Sequence, residues 1–103
     1  MDYTVSWSPA ALDDVDAIAE YIHRDSPAYT RSVVNKILES ARRLSDFPNA
    51  GRIVPELDDE AIREHFVYSY RLIYRVQEND VLVVAVVHGR QLLEPLLDQI
   101  TDA

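Results

Sequence analysis

Three runs of β-branched and aromatic residues follow one another between Ile62 and His88, and nothing else in the chain constrains its fold as strongly. They are Ile62 to Tyr68, Tyr70 to Val76 and Val81 to His88, parted only by Ser69 and by Gln77-Glu78-Asn79-Asp80. Runs of this composition, bounded by turn residues, read as consecutive antiparallel strands with tight connections. In the middle run Tyr70, Leu72, Tyr74 and Val76 share one face, and Arg71, Ile73 and Arg75 share the other. The third run, Val81-Leu82-Val83-Val84-Ala85-Val86-Val87, shows no alternation. A strand apolar on both faces is covered on both faces. The sheet therefore needs something on its second side, and that need is the first hint of function.

The residues before the sheet supply cover for one side. Tyr3-Thr4-Val5-Ser6-Trp7 has the character of a short first strand. Ser8-Pro9 is a helix start, with Ser8 as N-cap and Pro9 in the first helical position. Leu12, Val15, Ile18, Ala19 and Ile22 then form an apolar stripe at helical spacing. Asp13, Asp14 and Asp16 lie toward the positive end of that helix, where the macrodipole favours acids, so a metal is not needed to explain them. Ser26-Pro27 repeats the start signal. Val33, Val34, Ile37, Leu38, Ala41 and Leu44 make a second stripe that ends before Phe47-Pro48, with Arg42 and Arg43 in the last turn. The short break at His23-Arg24-Asp25-Ser26 makes the two helices an antiparallel hairpin. Its stripes are expected to pack on the Tyr70/Leu72/Tyr74/Val76 face.

Pro48 to Arg52 is a turn cluster, extended by an acidic loop, Pro55 to Glu60. The two glycines, Gly51 and Gly89, each precede an arginine. Positive φ at these glycines would aim Arg52 and Arg90 from fixed turns. Leu92, Leu93, Leu96, Leu97 and Ile100 have the spacing of a short amphipathic tail helix that Pro95 starts or interrupts. The order is β-α-α-β-β-β plus a tail. This is an α+β fold, with the helical hairpin on one face of a small, mainly antiparallel sheet and a short helical C-terminus, expected as one domain over residues 1–103.

Charge narrows the function classes. The chain of 103 residues carries a formal charge of −8 and has Lys36 as its only lysine. Residues 1–62 hold 12 acids and 6 bases, and residues 63–103 hold 6 acids and 4 arginines. A protein whose main task is gripping nucleic acid carries a basic surplus, because phosphate neutralisation supplies most of the affinity. Sequence-specific nucleic-acid binding is therefore not expected, although local basic patches fit on the sheet. The absence of cysteine excludes disulfides and thiolate metal sites. No His or carboxylate pair has metal spacing, so no metal or cofactor is expected. No apolar run is long enough to span a membrane, and the cytoplasm is the default location.

Several segments, taken in order, resemble the ParE branch of the RelE/ParE family of bacterial type II toxins over about residues 3 to 94. They are Trp7-Ser8-Pro9-Ala10-Ala11-Leu12-Asp13-Asp14, Ala19-Glu20-Tyr21-Ile22, Phe47-Pro48-Asn49-Ala50-Gly51-Arg52, Ile62-Arg63-Glu64, Tyr70 to Val76 and Val87-His88-Gly89-Arg90. The resemblance implies a toxin neutralised by a cognate antitoxin that covers apolar surface. Ile73, Val83, Ala85 and Val87 are the expected antitoxin contacts. The chain alone is expected either to self-associate, as a homodimer for instance, or to hide its third strand under residues 91–100.

The family implies two activities. ParE-like members inhibit DNA gyrase by stabilising its cleaved-DNA state, whereas RelE-like members cut messenger RNA on the ribosome. RNA cleavage needs a general base, a general acid and cations for the developing charge. Arg71, His88 and Arg90 would have to provide these, and His88 is the one candidate acid or base among them. The net charge and a tail lacking lysine, arginine or tyrosine after Arg90 favour the gyrase inhibitor. Its target-binding groups would be Arg63, Arg71, Arg75, His88 and Arg90. The alternatives are a ribosome-dependent endoribonuclease, or a degenerate member that binds antitoxin without toxicity. Tyr70 and Tyr74 are assigned to the core, with their hydroxyls at its rim.

Overall fold

The computed structural model describes residues 2–102. In chain order it contains β1 (Thr4–Trp7), α1 (Pro9–His23), α2 (Pro27–Arg43), β2 (Arg52–Ile53), β3 (Ile62–Val67), β4 (Tyr70–Gln77), β5 (Asp80–His88), a 3-10 turn (Glu94–Leu96) and α3 (Leu97–Thr101). Both helix starts form as their sequences dictate. The Ser8 hydroxyl accepts from Ala11 N at 3.1 Å and the Ser26 hydroxyl from Tyr29 N at 3.2 Å, satisfying amides that have no carbonyl partner in a first turn. Each helix has proline in its first turn, where the missing N–H costs nothing.

The sheet has five strands in the order β1-β5-β4-β3-β2. β3, β4 and β5 form the expected antiparallel meander. β1 lies parallel to β5, with Thr4 opposite Asp80 and Trp7 opposite Val83, so the first strand closes the edge next to the last. β2 pairs Arg52 with Glu64 and Ile53 with Arg63. It is a strand of two residues inside what reads in sequence as a turn and an acidic loop.

The helical hairpin covers one sheet face. Ala11, Val15, Ile22, Val33, Ile37, Ala41 and Leu44 pack on Val67, Leu72, Tyr74, Val81, Val83 and Val86. The opposite face carries a second core of Ile62, Ile73, Val84, Ala85 and Val87, closed by Val54, Leu93 and Ile100. Cover for the second side thus comes from the chain itself. Of the two expectations for the uncovered strand, burial under residues 91–100 is the arrangement found.

Val83 corrects the expected antitoxin face. The β4–β5 pairing shifts register between Ile73 and Tyr74, opposite Ala85 and Val83 respectively, so Val84 is an extra residue in β5. A bulge of this kind reverses which residues face which side. Val83 therefore belongs to the helix side, and Val84 joins Ala85 and Val87 on the other. The expected tail stripe is also corrected at Leu92, which is 77% exposed, while Leu93 and Ile100 are buried.

β1 ends its pairing opposite Val83, so the Val86 amide farther along β5 has no strand partner, and Asp14 supplies the acceptor. Its Oδ2 accepts from Val86 N at 3.0 Å and from Gln99 Nε2 at 2.9 Å, tying α1, β5 and α3 together. Asp14 is thus a structural acceptor rather than a solvated dipole partner. Burial raises the Asp14 carboxyl pKa above its ordinary value against the lowering effect of these two hydrogen bonds. The folded state consequently holds the Asp14 proton more tightly than the unfolded chain, so this group's contribution to stability falls as pH rises through that window. Asp14→Asn keeps an acceptor without the charge and should leave stability at neutral pH unchanged or higher. Asp14→Ala leaves the Val86 amide unpaired and should cost about 1–3 kcal/mol. Urea titrations of the two variants at acidic and neutral pH check both expectations.

Candidate functional site

The arginines of the sheet have different environments. Arg71 on β4 is only 4% exposed. Its Nε donates to Glu64 Oε1 at 2.7 Å, and its Nη1 and Nη2 donate to Glu56 Oε2 and Oε1 at 2.8 and 2.9 Å. Glu64, with 1% exposure, also receives Arg52 Nε on Oε2 at 2.5 Å. The result is a chain of alternating charge, Arg52–Glu64–Arg71–Glu56, with Glu64 and Arg71 buried and its two ends exposed. The Glu56 hydrogen bond raises the Arg71 pKa further, and Arg71 in turn holds the Glu56 carboxyl below its ordinary value. A guanidinium with all three nitrogens engaged by carboxylates is not offered to a ligand. Arg71, expected among the target-binding groups, is instead enclosed, because Glu64 beside it in the sheet and Glu56 on the acidic loop converge on it.

Arg63 is also internally engaged. It lies on the helix side of β3 opposite Tyr74, and its Nη1 donates to Gly51 O at 3.0 Å. Arg75 Nη1 donates to the Thr101 carbonyl at 2.9 Å, so it pins the end of α3 to the sheet. Gly51 contributes closeness rather than a special turn. None of the described glycines has positive φ, which corrects that expectation. A Cβ on Gly51 would lie 2.3 Å from Glu64 O and 2.7 Å from the Tyr74 hydroxyl, which accepts from Gly51 N at 2.9 Å. Glycine is required because backbone crosses backbone there.

His88 and Arg90 stand apart from this network. Both are exposed at the end of β5. His88 Nδ1 accepts from Arg90 N at 3.2 Å, and the imidazole ring meets Tyr70 edge-on at 5.9 Å. Tyr70 and His88 are register partners, as are Arg71 and Val87. Successive residues of a strand point to opposite sides, so His88 and Arg71 lie on opposite faces of the sheet. The three residues a nuclease would need do not converge.

What surrounds His88 is aromatic. Two adjoining hollows of about 370 and 330 Å³ share Tyr21, Tyr70 and His88, and the second also contains Tyr29 and Tyr68. Tyr21, Tyr29 and Tyr68 are 67%, 51% and 56% exposed, and the Tyr29 and Tyr68 rings lie 6.4 Å apart. Tyr68 holds φ at 54° in the β3–β4 turn, a left-handed conformation that is uncommon for a bulky side chain. Burial raises the Tyr70 hydroxyl pKa, with Tyr29 and Tyr21 adding to the effect. Sequence reasoning placed Tyr70 in the core and did not single out Tyr21, Tyr29 or Tyr68. The available signal was positional: Tyr21 and Tyr29 flank the interhelical turn, which the hairpin brings over the β3–β4 connection.

Among the described residues, no group of three or more His, Asp or Glu could hold a metal ion, and no helix is long and apolar enough to cross a membrane. A family model described as the ParE toxin of the type II toxin-antitoxin system parDE matches residues 5–93. Among solved structures, the chain is similar to the chromosomal ParDE toxin-antitoxin system from P. aeruginosa, with TM-score 0.69 and 20% identity over 84% of this chain and 95% of that one. It is similar to a mutant of the E. coli toxin RelE in the free state, with TM-score 0.68 and 16% identity over 99% and 97% of the two chains. The toxin-antitoxin complex RelBE2 from Mycobacterium tuberculosis gives TM-score 0.58 and 22% identity over 85% and 99%. At these identities the structural likeness is one of fold. No curated protein matches the chain.

Proposed function

The chain belongs to the ParE toxin family of type II toxin-antitoxin systems, and from that premise we propose that it acts by protein–protein contact on DNA gyrase rather than by cutting RNA. The observation that carries this reading is the sequestration of Arg71. A phosphoryl-transfer site needs a cation aimed at the developing charge and an acid–base pair within reach of the same atoms. Here the cation is enclosed by Glu56 and Glu64, and His88 is on the other side of the sheet. The charge of −8 adds repulsion from any polyanion approached without a protein intermediary.

The target contact surface we assign is the exposed end of β5, His88-Gly89-Arg90, together with the tyrosines beside it. Tyrosine and arginine dominate the energetics of protein interfaces, because each presents a large contact area with a polar tip. The cognate antitoxin is a separate matter. Ile73, Ala85 and Val87 lie beneath Leu93 and Ile100, so an antitoxin that reaches them must first displace residues 93–101.

The test is a supercoiling assay with purified protein, run beside a ribosome-dependent message-cleavage assay. Linear, gyrase-linked DNA with intact message is the expected result, and cut message with normal supercoiling would overturn the reading. His88→Ala combined with Arg90→Ala changes two exposed side chains. The pair should leave the melting temperature within a few degrees and reduce the gyrase-linked product at least about tenfold, the effect of losing a hot spot. Undiminished poisoning by that variant would move the contact surface elsewhere.

A further inference from the structure

Four of the six tyrosines, Tyr21, Tyr29, Tyr68 and Tyr70, line one hollow of about 330 Å³ between the interhelical turn and the β3–β4 turn. Three of them are more than half exposed, so core packing does not account for their gathering. Contiguous exposed apolar surface of this kind marks a place of interaction. The Tyr29 and Tyr68 rings are tilted by 49° at 6.4 Å, a wedge rather than a stack. Tyr68 is held there at a φ of 54°, and backbone strain of that sort clusters at ligand clamps.

The charge of the hollow has one sign. Asp25 and His88 are its other titratable groups, and no Lys or Arg lines it. The adjoining hollow adds Asp14, again without Lys or Arg. Asp14 is occupied by the Val86 amide and Gln99. Asp25 is exposed and has no ion-pair partner among the described residues. The negative end of α1 and the positive end of α2 meet beside Asp25, so their dipoles offset and the carboxylate sets the sign. A tyrosine ring is electron-rich on its face and attracts a cation held within about 6 Å of its centre. Rings and carboxylate therefore select the same ligand, a cation with a flat or apolar body.

We propose that the tyrosine-walled hollow receives an arginine side chain of a partner protein, its guanidinium lying on the ring faces and donating to Asp25. Arginine fits better than lysine, because its planar, weakly hydrated head stacks on an aromatic face and still donates from its edge. The tyrosine hydroxyls accept from the N–H groups that Asp25 leaves over. A nucleobase also stacks on tyrosine. Its phosphates, however, would meet Asp25 in a chain of charge −8, with no cation in the lining to receive them. The inference rests on the assignment of the His88 end as the target contact surface, and it names the side chain which that surface reads.

The test is NMR of the full chain, isotope-labelled in its tyrosine rings and titrated with three probes. These are N-acetyl-arginine amide, its neutral isostere N-acetyl-citrulline amide, and a short single-stranded oligonucleotide. The arginine probe is expected to give saturable shifts at Tyr21, Tyr29, Tyr68 and Tyr70, and the citrulline probe none. Tyr21→Leu with Tyr29→Leu should weaken arginine binding about tenfold, whereas Tyr21→Phe with Tyr29→Phe keeps both ring faces and should hold it within about twofold. Both positions are more than half exposed, so the thermal midpoint of each pair should stay with the parent. An equal response to citrulline, the absence of saturation with arginine, or equal losses in the two pairs would overturn the inference. Tighter binding of the oligonucleotide would overturn it as well. Gyrase is read separately: a chain that binds the arginine probe yet leaves supercoiling unaffected would overturn the target assignment and not the arginine site.

Discussion

Glu64→Ala should be the most damaging single substitution in this chain, lowering stability by about 3–5 kcal/mol, the cost of breaking a buried ion pair from one side. Glu64 is the only described carboxylate with no exposed side-chain surface in a salt bridge, and it serves Arg71 and Arg52 together. Its loss leaves the Arg71 guanidinium inside the sheet with Glu56 alone, which is half exposed and screened by water. Desolvation of an under-compensated cation then opposes folding. The same reasoning forecasts the double variant. Glu64→Leu with Arg71→Met replaces charge by apolar volume and should recover most of the loss, because the pair's net contribution over a packed isostere is small. Urea unfolding of the two variants separates these outcomes. If Glu64→Ala were as stable as the parent, the chain of charges would have no structural role, and Arg71 would again be a candidate ligand group. Acidification should act in the same direction. Arg71 depresses the Glu56 pKa, so the stability this carboxylate contributes is present above its ordinary pKa and is lost as pH falls through the depressed one.

That network shows where sequence reading reaches its limit. Period-two alternation correctly put Arg71, Ile73 and Arg75 on one side of β4, and β3, β4 and β5 on a meander. Alternation cannot say whether an arginine on a sheet face meets water or a carboxylate. Glu64 is seven residues before Arg71 and Glu56 fifteen, and only the β3–β4 register and the return of the acidic loop bring them together. The bulge at Val84 is invisible for a related reason. In a run apolar on both faces, an extra residue changes no polar–apolar pattern, so Val83 was assigned to the wrong side. β2 is two residues long and carries no periodicity at all. The capped helix starts at Ser8 and Ser26 were legible because their chemistry is local. The His88 end was legible only in part. The His-Gly-Arg motif marked its location, but the tyrosines around it come from α1, α2 and the β3–β4 turn and meet only through the hairpin's docking on the sheet.

Removing residues 93–103 should convert a monodisperse chain into one that self-associates, with about 3–6 kcal/mol less stability. The figure follows from two side chains. Leu93 is 2% exposed and Ile100 is fully buried, and burying an aliphatic residue of this size contributes about 1.5–3 kcal/mol. Truncation also takes Gln99 from Asp14 and from the Val84 carbonyl, and Thr101 from Arg75. Ile73, Val84, Ala85 and Val87, which together form one apolar face, would then meet water, and contiguous apolar patches of that kind drive association. Ile100→Asp reaches the same state by a point change, because a carboxylate cannot remain in that core unpaired. Leu92→Asp is the control: at 77% exposure it should alter neither stability nor size. Light scattering and urea titration on the three variants read both effects. A truncated chain that stays monomeric with its midpoint unmoved would mean that Val54 and Leu57 suffice to cover the second face. The 93–101 segment would then be a passive tail, and no displacement of it would be needed for an antitoxin to reach Ile73, Ala85 and Val87.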